Sequence, residues 1–186
     1  MKTNITKVFQ VTEPIDKVWA NLSNPAGIVN CVPGATLVSQ TDERNLKGEV
    51  LTKFGPVKVK YNGDIVITEL DETNHVMKLT GKGLDSKGKG SADMDMVGTI
   101  VQKEGACEVT FNMEITITGM LAQFGSRLIN DVTDHLLNEF VANFKKKLAG
   151  EQVNNEINAA KMTVEITKKK ISNFFGGGKK DDTSSS

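Results

Sequence analysis

The stretch GKGLDSKGKG at 81–90 is the part of this sequence that comes closest to a phosphate-binding motif. A P-loop requires serine or threonine after its lysine, and Gly90 stands at that position. A P-loop must also open a helix whose N–H groups face the phosphate, whereas the following residues, SADMDMVG, alternate with a period of two. We therefore interpret the stretch as a hairpin between strands, and we expect no nucleotide site.

Residues that bind metals or move protons are few and do not form a pattern. The two histidines, His75 and His135, share no ligand-type spacing with each other or with a cysteine, so no zinc-like site is indicated. Asp131 and Asp134 lie three residues apart on a predicted helix, where such a pair more often belongs to a solvated face than to a cavity mouth. No nucleophile can be paired with a base from spacing. The sequence therefore indicates no catalytic residue and no metal site.

Four methionines recur on the apolar face of neighbouring predicted strands: Met77, Met94, Met96 and Met113. Ordinary core packing explains any one of them. Together they favour an adaptable apolar lining, because methionine fills irregular space and tolerates different ligand shapes. A lining of this kind with few polar anchors suits a lipid-like or polycyclic guest.

These methionines belong to a long region of β-type alternation between Thr36 and Thr118. The segment EVTFNMEITIT at 108–118 is typical, with apolar residues on one face and polar residues on the other. Short turns separate such segments, and a first strand is predicted at 5–11. The pattern predicts an antiparallel meander with one face in water.

A long amphipathic helix is predicted from about Leu121 to Leu148, since apolar residues recur there every three or four positions. Its 28 residues would extend about 42 Å. A curved antiparallel sheet wrapped around a long C-terminal helix is the helix-grip arrangement, a fold of the α+β class. One helix does not fill the concave side of such a sheet, so we expect an internal apolar cavity.

The residues predicted to line this cavity face inward on the strands or on the first turns leading into the helix. They are Tyr61, Met77, Leu79, Met94, Met96, Phe111, Met113, Met120, Leu121, Phe124, Leu128 and Val132. Gly125 is predicted inside the helix, where glycine costs about 1 kcal/mol relative to alanine. We expect close packing or the passage of a ligand to offset that cost, which would make this point a doorway to the cavity.

The composition of the chain excludes several classes of protein. The 186 residues carry no net charge and few aromatic residues, which argues against nucleic-acid binding. The two cysteines, Cys31 and Cys107, are far apart and are interpreted as reduced thiols in a cytosolic protein. No apolar run is long enough to span a bilayer, and the first residues, MKTNITKVFQVTE, predict no secretory signal. We place a ligand-binding domain at 1–150 and a flexible tail at 151–186.

The tail combines positive charge with apolar residues. Between residues 161 and 180, six lysines and one glutamate give a net charge of +5. Lysines near an anionic leaflet contribute about 1 kcal/mol each, and apolar side chains add contact at the headgroup boundary. The residues predicted to touch a membrane are Lys168, Lys169, Lys170, Ile171, Phe174 and Phe175. The alternative is a tail that stays in solution without structure.

Four segments in the right order and at the right intervals resemble one protein family. CVPGA at 31–35, GPVKVKYNGD at 55–64, GKGLDSKGKGSA at 81–92 and GMLAQFGSRLINDV at 119–132 are similar to the motifs of the family of the carbon monoxide dehydrogenase G subunit (CoxG). Each motif alone is weak, but the four together are specific, and the resemblance covers roughly residues 1–148. It implies a START-like (SRPBCC) helix-grip fold, in agreement with the periodicity.

The resemblance also implies a function. The family accompanies molybdenum-containing carbon monoxide dehydrogenases and related hydroxylases of the xanthine-oxidase type, is associated with holding them at the cytoplasmic membrane, and is linked with carrying respiratory quinone. We therefore expect a non-enzymatic protein at the inner face of the plasma membrane, with no intrinsic cofactor, that binds a lipophilic molecule such as an isoprenoid quinone and recruits such a hydroxylase.

Two alternatives remain open at this stage. The first is a cyclase- or hydrolase-type enzyme that acts on an apolar ring in the same cavity, with Tyr61 and His75 as its only candidate groups. The second is an adaptor whose core is filled and which binds no ligand.

Overall fold

The computed structural model describes residues 1–54 and 57–155. Within these residues, the strands are β1 (Lys2–Val11), β2 (Ala35–Gln40), β3 (Asn45–Phe54), β4 (Val57–Asp71), β5 (Val76–Asp85), β6 (Ser91–Lys103) and β7 (Ala106–Ile117). The α-helices are α1 (Ile15–Leu22), α2 (Pro25–Ile28) and α3 (Gly125–Leu148). Two 3₁₀ helices lie at Val29–Cys31 and Gly119–Phe124. We call the second one the corner helix, because it joins the last strand to α3.

The strands form one antiparallel sheet in the order β1-β7-β6-β5-β4-β3-β2. Strands β2 to β7 follow one another as neighbours, and β1 joins the end of this meander by pairing with β7 from Lys2 opposite Thr116 to Val11 opposite Cys107. The predicted antiparallel meander is confirmed. Since paired residues share a face, the sequence alternation is carried across the whole sheet.

The sheet bends at identifiable places. The register shifts between Leu37 and Ser39 in β2 and between Ile67 and Glu69 in β4, and such bulges increase local twist and bend the strand. A side chain at Gly63 would place its Cβ only 2.8 Å from the carbonyl oxygen of Lys82. Glycine is therefore required at that point, where two strand backbones approach closely.

Helix α3 lies along the inner face of this sheet. Ile129 and Val132 are buried near its start, and Phe140 and Phe144 near its end. The three lysines at 145–147 occupy the last turn, where positive charge is favourable for the helix dipole. The sheet and this helix confirm the predicted α+β helix-grip class.

The start of α3 differs from the prediction. The helix begins at Gly125 and has 24 residues, whereas the periodicity predicted 28 residues from Leu121. Gly125 has a φ of 76°, which is incompatible with a right-handed helical turn and easy only for glycine. The preceding apolar residues form the corner helix instead, so the predicted cost of a glycine inside the helix does not arise.

The five residues after Gly150 return to the body of the protein. The N–H of Gly34 donates to the carbonyl oxygen of Asn155 at 2.7 Å, and the Asn155 side-chain amide donates to the carbonyl oxygen of Ala35 at 2.8 Å. Asn155 therefore contacts the start of β2 from beyond the predicted boundary at 150. The predicted membrane-contacting residues at 168–175 lie outside the described residues. None of the described helices has the length and hydropathy needed to cross a membrane.

Candidate functional site

The inner face of the sheet carries two apolar clusters, one toward each end of α3. The larger one contains Phe9, Phe111, Phe140 and Phe144, together with Trp19 of α1. The smaller one lies under the start of α3 and contains Val59, Tyr61, Ile117, Leu121, Ile129 and Val132. Between them, the inner-face residues Ile65, Leu79, Met94, Met96 and Ile115 are only partly buried. The sheet is therefore least tightly covered between the two clusters.

Small residues cross the inner face in one row. The register places Gly48 opposite Gly63, Gly63 opposite Gly83, and Gly83 opposite Ala92. Along four adjacent strands the sheet thus presents nothing larger than a methyl group to α3. The next row holds Gly81 between Ile65 and Met94. The band reduces the side-chain bulk on the inner face, and the Tyr61 side chain lies beside it, 3.5 Å from where a Gly83 side chain would begin.

Gly81 differs from the other glycines of this band. A Cβ added there would meet only Met94 atoms, the nearest being Cε at 3.8 Å, which is ordinary van der Waals contact. At Gly83 the same atom would lie 3.2 Å from the Ala92 carbonyl oxygen. Gly81 is therefore a position where a larger side chain would extend into the inner space without first meeting the backbone.

Polar groups collect at one end of the band. Tyr61 lies opposite Asp85 in the β4–β5 register, and Thr52 lies on β3 opposite Val59, two residues from Tyr61 on the same face. All three side chains are buried, with exposed fractions of 9% for Tyr61, 9% for Asp85 and 5% for Thr52. The Thr52 hydroxyl has no hydrogen-bond partner among the described residues. A few placed polar groups in an apolar site are what orients a ligand.

The protonation of Tyr61 follows from its surroundings. Burial, and to a smaller extent the Asp85 carboxylate, raise the pKa of Tyr61 above its ordinary value. The phenol therefore stays protonated at neutral pH and acts as a hydrogen-bond donor rather than a base. Sequence reasoning missed Thr52 and Asp85. The alternation could have found Thr52, because it is a polar residue at an inward position of the predicted strand at 46–54. Asp85 gave no such signal, because it belongs to the stretch interpreted as a hairpin.

The glycine–lysine stretch at 81–90 forms the end of β5 and a tight turn into β6. The N–H of Asp85 donates to the carbonyl oxygen of Gly90 at 3.0 Å, and the Asp85 carboxylate accepts from the N–H of Lys89 at 3.1 Å. No helix follows, so the backbone lacks the donors of a phosphate cradle. The predicted hairpin is present. Part of the Asp85 side chain is used in holding this turn.

The other candidate groups are separated by the fold. His75 packs edge-on against Trp19, with ring centroids 5.5 Å apart, in the region of the larger cluster. Tyr61 belongs to the smaller cluster at the other end, so the structure does not bring these two residues together. Asp134 accepts a hydrogen bond from Lys7 at 3.2 Å on an exposed edge. Among the described residues, no group of three or more His, Cys, Asp and Glu side chains could hold a metal ion.

The predicted lining residues fall into three groups. Those buried on the inner face or beneath the helix are Tyr61, Met77, Phe111, Met113, Leu121 and Val132. Those partly buried are Leu79, Met94, Met96, Met120 and Leu128. Phe124 is the exception, because it ends the corner helix at the surface with 40% of its area exposed.

The predicted doorway at Gly125 has a different physical basis from the one we expected. A Cβ added at Gly125 would have nothing within 4 Å, so the glycine is not there to permit a close approach. Its positive φ allows the chain to turn from the corner helix into α3. Close approach is instead found at Gly119, whose added Cβ would lie 2.6 Å from the Cα of Gly90.

A hollow of about 510 Å³ lies across β1, β4, β5, β6 and β7. Most of its lining side chains belong to the face away from α3: Asn4, Thr6, Thr68, Lys78, Thr80, Asp95, Val97, Asn112 and Glu114. No residue of α3 lines it. It is thus mainly a polar groove on the outer face, although Leu79, Met96 and Met113 of the predicted cavity lining also border it.

The two cysteines are buried free thiols, each with 0% of its area exposed. Burial raises the pKa of Cys31 against a weaker opposing effect of Lys147, and burial together with Glu13 raises the pKa of Cys107. Since the thiolate is the reactive form, we expect both thiols of the folded protein to react with an aromatic disulfide reagent at least about 100-fold more slowly than in urea. Rapid reaction of either thiol in the native protein would contradict this.

Comparison with solved structures shows the fold in other proteins. A conserved protein from Geobacillus kaustophilus matches at a TM-score of 0.72 with 21% identity over 80% of this chain and 96% of its own. The Zhui aromatase/cyclase of Streptomyces sp. R1128 matches at 0.56 with 11% identity over 82% and 100%. Norcoclaurine synthase from Thalictrum flavum matches at 0.52 with 14% identity over 82% and 88%. These neighbours share the helix-grip fold of this chain.

A search of curated proteins by sequence found no match. The family model of the carbon monoxide dehydrogenase G subunit (CoxG) matches residues 8–149. That span begins within β1 at Val8 and runs past the end of α3, so it covers strands β2 to β7, the corner helix and α3. Together with the four sequence motifs and the helix-grip fold, this match establishes that the chain belongs to the CoxG family of carbon monoxide dehydrogenase subunits.

Proposed function

We propose that this protein is a non-enzymatic carrier that binds a lipophilic ring-containing molecule, such as an isoprenoid quinone, between its sheet and α3. The observation that carries this proposal is the inner-face band in which Gly48, Gly63, Gly83 and Ala92 present no side chain larger than a methyl group. Partly buried methionines border that space. Their flexible side chains adapt to a guest better than branched ones.

The polar end of the band supports a guest with a hydrogen-bonding ring. The protonated Tyr61 hydroxyl donates to a ring carbonyl, and the Thr52 hydroxyl, which has no protein partner among the described residues, supplies a second hydrogen bond. The isoprenoid part of the molecule then runs along the apolar band toward Met94 and Leu79. Binding needs no proton transfer, and the Asp85 carboxylate at this end is partly used in holding the β5–β6 turn.

The family name supports a carbon monoxide dehydrogenase as the partner enzyme. Members of the family are named as subunits of carbon monoxide dehydrogenase, and we propose that this protein brings such a molybdenum-containing hydroxylase to the cytoplasmic membrane. In this proposal the tail supplies adhesion to the membrane through Lys168–Lys170 and the neighbouring Ile171, Phe174 and Phe175. The bound quinone would then lie close to both the enzyme and the bilayer.

The direct test is lipid extraction and mass spectrometry of protein purified without detergent, followed by quinone uptake from liposomes. Gly81→Leu extends a side chain into the inner space, whereas Thr80→Leu adds the same side chain to the opposite face of the same strand. We expect Gly81→Leu to lower the quinone retained per protein at least about fivefold, since about 1 kcal/mol of overpacking is enough for this change. Thr80→Leu should retain the parental amount.

The outcome that would contradict the proposal is a parental protein that is consistently empty and takes up no quinone from liposomes. Equal retention by Gly81→Leu and the parent would place the guest elsewhere and would also count against it. Thermal unfolding of both variants serves as the control, because glycine in a strand interior is unfavourable and neither substitution is expected to prevent folding.

A further inference from the structure

The chain has no net charge, but its folded part separates charge between its two ends. Three segments contain no aspartate or glutamate: the paired ends of β3 and β4 at 50–54 and 57–60, the turn at 86–92, and the stretch at 118–130. Their cationic residues are Lys53, Lys58, Lys60, Lys87, Lys89 and Arg127. We call these three segments together the basic end.

Backbone contacts hold the three segments of the basic end side by side. The N–H of Ser86 donates to the carbonyl oxygen of Lys60 at 2.8 Å, which joins the β5–β6 turn to β4. The N–H of Met120 donates to the carbonyl oxygen of Lys89 at 3.1 Å, which joins the same turn to the corner helix. Lys53 and Lys58 lie directly opposite each other in the β3–β4 register. The cations thus belong to one continuous end of the sheet, where α3 begins.

The strand connections at the other end have the opposite character. Segments 12–16, 41–45, 71–75 and 102–106 contain seven acidic residues against Arg44 and Lys103. The three lysines in the last turn of α3 offset part of that charge. The segments of the basic end contain no acidic residue. Two acids border them: Asp85 is buried and accepts a hydrogen bond from the N–H of Lys89, and Glu49 pairs with Lys60 at 2.8 Å. An anionic surface would therefore orient the protein with the basic end toward it.

Large apolar side chains are exposed at this same end. Leu84 has 68% of its area exposed and pairs with Ser91 beside the turn, and Phe124 ends the corner helix with 40% exposed. The smaller apolar cluster, with Leu121 and Ile129, lies directly behind the corner helix. Lysines beside exposed leucine and phenylalanine suit the boundary between lipid headgroups and acyl chains, where both kinds of side chain find their preferred surroundings.

We propose that the basic end is a membrane-docking surface that rests on an anionic lipid bilayer and turns the corner helix toward the lipid. This surface belongs to the folded domain and is separate from the tail. The proposal extends the proposed function, from which it takes only the idea that the protein works at a membrane. It gives a lipophilic guest a short route, since the inner-face space ends behind the corner helix that meets the bilayer.

The test uses the full chain and sedimentation with vesicles of phosphatidylcholine containing about 30% phosphatidylglycerol, with pure phosphatidylcholine as reference. The variant K87E/K89E reverses two exposed charges of the β5–β6 turn, and K17E/K103E makes the same change in net charge at the other end. Each lysine near an anionic surface changes partition by roughly fivefold. We expect K87E/K89E to lower the partition coefficient by at least about 20-fold and K17E/K103E by less than about threefold.

A third variant, K168Q/K169Q/K170Q, separates the basic end from the tail. Weaker vesicle binding by K87E/K89E supports the docking surface, whether or not the tail variant also binds weakly. Unchanged Trp19 fluorescence confirms that the variants fold. Equal partition of K87E/K89E and K17E/K103E would overturn it, as would a parent that binds an acidic protein partner through these lysines but no anionic vesicle. If the parent retains no quinone but K87E/K89E still binds anionic vesicles more weakly than the parent, the result would count against the proposed function alone.

Discussion

Replacing Phe144 with alanine is expected to destabilise the protein by about 3–5 kcal/mol, because it removes a fully enclosed aromatic side chain and leaves a cavity. Phe144 has 0% of its area exposed. Its ring stacks on Phe140 with centroids 6.0 Å apart and meets the edge of Phe9 at 6.2 Å. It thereby joins the end of α3 to the start of the sheet, so its loss affects both the helix and β1.

The measurement is urea unfolding followed by the fluorescence of Trp19, which is buried in the same cluster. Phe124→Ala is the matched control, because the same side chain is removed from a site with 40% exposure. We expect that control to cost less than about 1 kcal/mol. A cost below about 1.5 kcal/mol for Phe144→Ala, with an unchanged dependence on urea, would show that the enclosed aromatic cluster is not the main support of α3.

Replacing Gly119 with alanine is expected to cost about 2–5 kcal/mol through two effects that can be measured separately. Gly119 has a φ of 73°, a left-handed conformation that is unfavourable for alanine. Its Cβ would also meet the carbonyl oxygen of Lys89 and lie 2.6 Å from the Cα of Gly90. Backbone atoms cannot turn aside as a flexible side chain can, so the β5–β6 turn would have to move away from the corner helix.

Gly88→Ala isolates the conformational part of this cost. Gly88 has nearly the same φ, 69°, but an added Cβ would have nothing within 4 Å. We expect Gly88→Ala to cost about 1–2 kcal/mol, and Gly119→Ala about 1–3 kcal/mol more. If both variants lose the same free energy of unfolding in urea, the close approach between the β5–β6 turn and the corner helix contributes nothing to stability. The basic end would then lack the rigid support that its backbone contacts indicate.

Much of the fold follows from periodicities that local chemistry imposes. Alternation with a period of two placed Met94, Met96 and Met113 on the inner face, because successive side chains of a strand point to opposite sides whatever their neighbours are. The long apolar repeat likewise predicted α3, and the four motifs indicated the family. These signals lie within single segments and do not depend on which strands become neighbours.

The corner before α3 shows where such signals fail. Apolar spacing continued the helix back to Leu121, but the positive φ values of Gly119 and Gly125 produce a separate 3₁₀ helix there. Glycine is compatible with both signs of φ, so its presence in a sequence does not state which is used. Contact with Lys89 and Gly90, residues about 30 positions earlier, is the second determinant of this corner.

The sequence by itself determined the α+β class, the two-faced sheet, the long helix and the family, since each rests on residues close together in the chain. Only the tertiary structure decided what gathers across strands: the row from Gly48 to Ala92, the meeting of Thr52, Tyr61 and Asp85, and the basic end of a chain with no net charge. The reason is register. Pairing sets which distant residues become neighbours, and a shift of one residue would move the glycine row and the polar group to the opposite face.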